Sequence, residues 1–136
     1  MSVFVDASAF YALLNKNDEL HKKALSISKT LARDNEILIT SNYTLAEAYT
    51  VIRSKLGFQT AQAFIGEIQK NGIQVARIDE EIHDRGLEIF LKNREPKDLS
   101  FFDCVDLALM ESLGIEKAFS FDRHFKALGI PLVETD

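Results

Sequence analysis

Four acidic residues stand where carboxylates could converge. Asp6 closes the apolar run Val3-Phe4-Val5, and Asp122 closes the run 117–121. Glu47 falls in the second turn of a helix expected after the run 37–39. Asp103 falls in the first turn of a helix expected after a charged loop. If the runs are strands of one parallel sheet, all four acids lie at the same sheet edge. Carboxylates brought together repel unless protons or cations intervene. Magnesium and manganese take oxygen ligands, often a few carboxylates plus water and substrate phosphate. A metal held this way can generate hydroxide, and a pair can stabilise both oxygens of an in-line phosphoryl displacement. Such a cluster suits phosphodiester hydrolysis with no histidine or lysine as general base.

Each acid also has a simpler reading. An aspartate after a strand is often a turn former or helix cap. Asp103 lies three residues after Ser100, the spacing of a capping box, where its charge suits a helix N-terminus. Glu47 has the mostly apolar neighbours Leu45, Ala46, Ala48 and Tyr49, which suggest partial enclosure. The joint placement of four acids favours a site. Asp106 shares a helix face with Asp103 and is expected to extend the acidic rim rather than bind metal through water. Asp18 and Asp98 read as loop acids.

The elements that must position these residues follow from periodicity. After the first run, 7–15 reads as a short helix, and 19–33 has apolar residues at Leu20, Ala24, Ile27 and Leu31, a helical spacing. Residues 37–39 read as a second strand. Ser41 can cap a helix to Leu56, with Gly57 as its stop. Its stripe of Leu45, Ala48, Ile52 and Leu56 is core. Residues 60–70 read as a helix stopped by Asn71-Gly72, 73–76 as a third strand and 81–92 as a helix. Residues 93–99 form a charged loop, after which Ser100 caps a helix ending near Leu113-Gly114. A fourth strand spans 117–121, and 131–133 offers a last edge strand, where an initial proline is tolerated. Strands alternating with helices predict an α/β sandwich with a mainly parallel sheet of four to five strands. In such folds ligands bind beyond the C-terminal strand ends.

Other residues carry weaker expectations. Arg123, His124 and Lys126 fit either substrate phosphates or a solvated segment, and Lys92, Arg94 and Lys97 read as solvated. His21 and His83 are expected at the surface. Phe101 and Phe102 suit core packing better than base stacking. Cys104 reads as a small buried hydrophobe. The helices 61–68 and 20–31 could supply a dimer face.

Length and composition set the limits. The 136 residues suit a single domain, 1–136, large enough to bury a core. A content of 46% hydrophobic and 27% charged residues is that of a globular chain, not a disordered one. The single cysteine excludes an intrachain disulfide and suits a reducing cytoplasm. No Cys/His zinc pattern, signal peptide or membrane span is visible. The formal charge of −5 argues against a broad basic footprint for nucleic acid, although bound divalent cations would offset most of it.

The acids also lie in motifs that resemble the PIN-domain ribonucleases, most closely their VapC toxin branch. Val3-Phe4-Val5-Asp6-Ala7-Ser8-Ala9 is similar to the family's first motif and Thr40-Ser41-Asn42-Tyr43-Thr44-Leu45-Ala46-Glu47 to its second. Leu99-Ser100-Phe101-Phe102-Asp103, followed by Ala108, resembles the third, and the stretch from Ala118 through Asp122 to Phe125 the fourth. The motifs occur in family order over most of the chain, with no acid missing. The resemblance implies a Rossmann-like α/β/α sandwich and a Mg²⁺ or Mn²⁺ site of Asp6, Glu47, Asp103 and Asp122. Ser41 would match the hydroxyl residue that helps orient the first acid. It further implies an endoribonuclease that uses water as nucleophile and leaves a 5′-phosphate. Toxin members are typically homodimers, silenced by a cognate VapB-like antitoxin whose C-terminal segment enters the groove.

Competing readings are a housekeeping RNA-processing PIN nuclease, a phosphatase or nucleotide hydrolase, and a non-catalytic PIN-fold interaction module. A dinucleotide enzyme is disfavoured because Asp6-Ala7-Ser8-Ala9 has no glycine fingerprint, and a P-loop enzyme because Gly-x-x-x-x-Gly-Lys is absent. An aspartyl phosphatase would want an aspartate where Ser8 stands. The complete acid set speaks against the interaction module.

Overall fold

Strand β1 (Ser2–Val5) is apolar along both faces, as a central parallel strand must be when helices cover each side. In the computed structural model, which describes residues 1–70 and 72–134, β1 pairs in parallel with both neighbours. On one side lies β2 (Ile37–Ser41), followed by β3 (Gln74–Ala76). On the other lies β4 (Lys117–Phe119). The sheet order is β3-β2-β1-β4. The chain builds outward from β1 in one direction and then returns to its other side. The strand order therefore reverses between β1 and β4, the place where open α/β sheets hold their ligands.

Successive side chains of β1 divide between the two helical layers. Val3 and Val5 pack with α1 (Ala7–Leu14), α2 (His21–Arg33), α3 (Asn42–Leu56) and α4 (Phe58–Lys70). Phe4 packs on the opposite side with Leu109 and Met110 of α6 (Phe101–Leu113) and Phe125 of α7 (Arg123–Ala127). Helix α5 (Glu80–Lys92) joins this second layer against α6. The result is the expected α/β/α sandwich. Ala24, Ile27, Leu31, Ala61 and Phe64 are buried in the core, so the apolar stripes of α2 and α4 pack inward. Cys104 is fully buried, as expected.

Several expectations change in detail. Residues 131–133 form only a single bridge, Leu132 to Ala118, rather than a strand. Strand β4 stops at Phe119, because Ser120 and the Phe121 amide turn to the start of α1 instead. Residues 123–127 are helical, not merely a solvated segment. Ser41 caps α3 through the Thr44 amide and Gly57 ends it at φ 96°, as read from the sequence. Of the proposed stop to α4, Gly72 has φ 50° and Asn71 lies outside the described residues. His21 and His83 are half-buried rather than free at the surface. The His21 ring nitrogen Nδ1 lies 2.8 Å from the Ala12 carbonyl, and His83 Nδ1 lies 2.9 Å from the Tyr43 hydroxyl.

Candidate active site

Asp6 leaves the end of β1 and serves as N-cap of α1, where Oδ2 accepts a bond from the Ser8 amide. The same oxygen accepts bonds from the hydroxyls of Ser8 at 2.6 Å and Ser120 at 2.9 Å. Asp122 follows β4 and caps α7, accepting from the His124 amide at 2.9 Å. The capping reading of these two aspartates therefore holds, and it does not compete with the site reading. Each helix start pins its carboxylate at the switch point.

Asp103 stands in the first turn of α6. Ser100 caps that helix through the Phe102 amide at 3.1 Å. Asp103 points to the other acids and is only 2% exposed. Asp106, one turn on, is corrected from rim to interior: it is fully buried. Its chain neighbours Cys104, Val105, Ala108 and Leu109 are also buried. The Thr44 hydroxyl donates to Asp106 Oδ1 at 2.9 Å. Oxygen atoms of Asp6, Asp103 and Asp106 all lie within 4.8 Å of one another. Glu47 approaches from α3, half-buried, and shares a cleft of about 250 Å³ with Asp6, Ser8, Tyr11, Val51 and Asp122. A larger hollow of about 900 Å³, lined by residues of α5 and α6 including Asp84 and Glu88, holds none of these acids.

Ser41 does not bond to Asp6. Its hydroxyl pairs with that of Thr44 at 3.0 Å, and Thr44 in turn holds Asp106. The hydroxyls on Asp6 are those of Ser8 and Ser120, which sequence reading did not single out. Their closeness to motif acids, two residues away in each case, was the available signal. Arg123 pairs with Asp98, Lys126 is exposed, and His124 turns inward among Asp98, Asp103 and Asp122.

The electrostatics are those of a site built for positive charge. Burial, and then the charges of Asp6 and Asp122, push Glu47 up to about 7. Burial, then Asp6 and Asp122, push Asp103 up to about 10. Asp6 is raised by burial against the pull of its serine hydrogen bonds, and Asp106 is raised well above the usual range by burial and by Asp6. Asp103 Oδ2 and Asp106 Oδ2 are buried with no hydrogen-bond partner. An unpartnered carboxylate oxygen in the interior is costly unless a proton or cation satisfies it. The donor set is nearly all carboxylate oxygen and thus fits a hard divalent cation.

A parallel α/β/α sandwich with buried acids at its switch point defines a hydrolase architecture suited to metal-assisted phosphodiester chemistry. The sequence matches the PIN domain over residues 3–131, and the chain belongs to the PIN-domain family. It is 28% identical to the 23S rRNA-specific endonuclease VapC20 of Mycobacterium tuberculosis, across 93% of this chain and 94% of that protein, in both the CDC 1551 and H37Rv strains. The crystal structure of M. tuberculosis VapC20, described as a Sarcin-Ricin loop cleaving toxin, aligns with a TM-score of 0.84 over 97% of this chain and 98% of that one. The chain is thus a homologue of a VapC-type PIN ribonuclease toxin. No helix among the described residues is long and apolar enough to cross a membrane.

Proposed function

We propose that the protein is a divalent-metal-dependent endoribonuclease, the toxin of a toxin–antitoxin pair, with Asp6, Glu47, Asp103 and Asp122 as its catalytic and metal-binding carboxylates. The observation that carries this reading is the pair of buried, unpartnered oxygens on Asp103 and Asp106 beside Asp6 at the β1–β4 switch point. Asp6 and Asp103 would hold Mg²⁺ or Mn²⁺, with Asp122 and Glu47 at the open side of the cleft. When bound, the cation supplies a water of lowered pKa and positive charge against the phosphate. Ser8 and Ser120 fix the Asp6 carboxylate, and Ser41 acts through Thr44 to fix Asp106. Glu47, half-buried and facing the cleft, accepts the proton released by the attacking water.

The likeness to VapC20 makes large-subunit ribosomal RNA the first substrate to test and a VapB-like antitoxin the partner to seek. It also favours a toxin over a housekeeping processing enzyme. The decisive experiment incubates purified protein with total RNA and with ribosomes, in Mg²⁺, in Mn²⁺ and in EDTA, beside Asp6→Asn. Discrete cuts are expected with either metal, none with EDTA, and a rate lower by on the order of a hundredfold or more in the variant, the scale of losing one transition-state charge stabiliser. Cleavage that persists in EDTA would remove the metal from the reading.

A further inference from the structure

His124 lies outside the all-oxygen acid set and is not explained by it. Its side chain is 12% exposed, and neither ring nitrogen makes a hydrogen bond. Nδ1 faces Asp103 Oδ2 at 3.5 Å and Asp122 Oδ1 at 3.3 Å. Nε2 faces Asp98 Oδ1 at 3.3 Å. A histidine serving only as counter-ion would close on a carboxylate to about 2.7–2.9 Å. Ligands of one ion, each about 2.0–2.2 Å from it, instead stand roughly 3–3.5 Å from one another. The separations around Nδ1 are of the second kind.

We propose that His124 is a cation ligand, its Nδ1 joining Asp103 and Asp122 in a mixed nitrogen–oxygen site, with Asp98 as the carboxylate that orients the ring. One ligand atom from each of these three residues lies within 4.8 Å of the others. Asp103 brings to that group the buried oxygen that has no other partner. The opposite side of the ring supplies independent support. A metal-binding histidine almost always directs its second nitrogen to a carboxylate, carbonyl or water, which fixes tautomer and ring angle. Asp98 Oδ1 stands there at 3.3 Å, a separation that must shorten for it to hold the ring, and Asp98 is itself held by Arg123. The backbone of His124 is tied to Asp122 through the cap of α7, so ring and carboxylate are placed by one turn of chain. Arg123 thus has a task on this surface other than holding substrate. Nitrogen ligation favours a first-row transition cation over Mg²⁺, because Mg²⁺ prefers oxygen donors.

This inference rests on the metal reading above, and one set of measurements separates their failures. Mn²⁺ is added to the wild-type protein, His124→Gln and Asp98→Asn. Binding is followed by titration, ligation by pulsed electron paramagnetic resonance, and folding by circular dichroism. The expected wild-type spectrum carries nitrogen modulation of the histidine type. His21 and His83 each engage Nδ1 with Ala12 and Tyr43, and among the described residues neither stands in a group that could hold an ion. The modulation should vanish in folded His124→Gln. It should persist in Asp98→Asn with Mn²⁺ affinity lower by on the order of tenfold, the usual cost of losing an orienting carboxylate. Mn²⁺ bound by the wild type without nitrogen modulation would overturn the His124 assignment and leave the carboxylate site standing. Modulation unchanged in His124→Gln would do the same. No Mn²⁺ binding by folded wild-type protein would overturn both. Should His124→Gln not fold, modulation retained in His21→Gln and in His83→Gln upholds the assignment, and its loss in either overturns it.

Discussion

At the scale of single residues, the acids of the site bind protons that the unfolded chain would release. Glu47 is raised from 4.5 to about 7 and Asp103 from 3.8 to about 10, each chiefly by burial. Where the folded state holds more protons than the unfolded one, stability falls as pH rises. The contribution of Glu47 is complete below its unfolded value and is lost as pH climbs through about 7. That of Asp103 is lost over a wider interval, from its unfolded value up to about 10. The melting temperature of EDTA-treated protein should therefore fall between about pH 5 and about pH 8, the reverse of the common carboxylate pattern. Asp103→Asn should flatten the slope, and Mn²⁺ should oppose it by binding the ionised acids. A melting temperature that rises over this interval in EDTA would contradict the assignment of these groups. Sequence alone placed the four motif acids, because each stands at the end of an apolar run or in the first two turns of a helix. It misplaced Asp106, since a shared helix face was taken for a shared exposure. The signal for burial was present: Asp106 is flanked by Cys104, Val105, Leu107 and Ala108, a lone acid in an apolar stretch.

At the scale of elements, the site depends on how closely α6 can approach its neighbours. Helix α5 crosses α6 at Gly86, where a Cβ would stand 2.7 Å from Val105 Cγ2 and 3.1 Å from Val105 Cα. Val105 lies between Asp103 and Asp106, so a displacement there moves both acids. Its β-branched side chain is stiff in a helix and cannot easily turn away. Gly86→Ala should destabilise by about 1–3 kcal/mol, the usual cost of overpacking, measured by denaturant unfolding, and should also weaken Mn²⁺ binding. Gly66 of α4 makes the control: a Cβ there meets nothing within 4 Å, so Gly66→Ala should be neutral or stabilising by up to about 1 kcal/mol. Equal effects at the two positions would show that close packing of α5 on α6 does not set the geometry. The long elements were legible because apolar periodicity runs through them, as at Leu45, Ala48 and Ile52 of α3. The short ones were not. Helix α7 has five residues, too few to display a period, and is set by the Asp122 cap rather than by a stripe. Residues 131–133 have strand-like composition, yet they meet only the short β4, which offers room for one bridge.

At the scale of the whole molecule, the order β3-β2-β1-β4 was not readable from periodicity, which reports faces and not neighbours. The rule that ligands gather at the strand ends nevertheless located the crevice, because it holds for any order of parallel strands. The same scale bears on how an acidic chain handles an acidic substrate. With a formal charge of −5, the metal-free protein lacks the basic footprint that usually retains nucleic acid. Arg123 is paired with Asp98, and Arg85 with Glu88 and Glu111, so part of the positive charge is already neutralised on the surface. If the cations of the site are the main anchor for phosphate, RNA retention must depend on them. Filter binding of Asp6→Asn should therefore show weak retention in EDTA, and clearly stronger retention when Ca²⁺ or Mn²⁺ fills the remaining carboxylates. Few phosphates would be neutralised by lysine and arginine, so the dependence of log affinity on log salt should be shallow, with a slope magnitude of roughly 1–3, far from that of a strongly basic binder. Equal retention with and without divalent cation, joined to a steep salt slope, would instead place substrate capture on surface lysines and arginines and confine the metal to the chemical step.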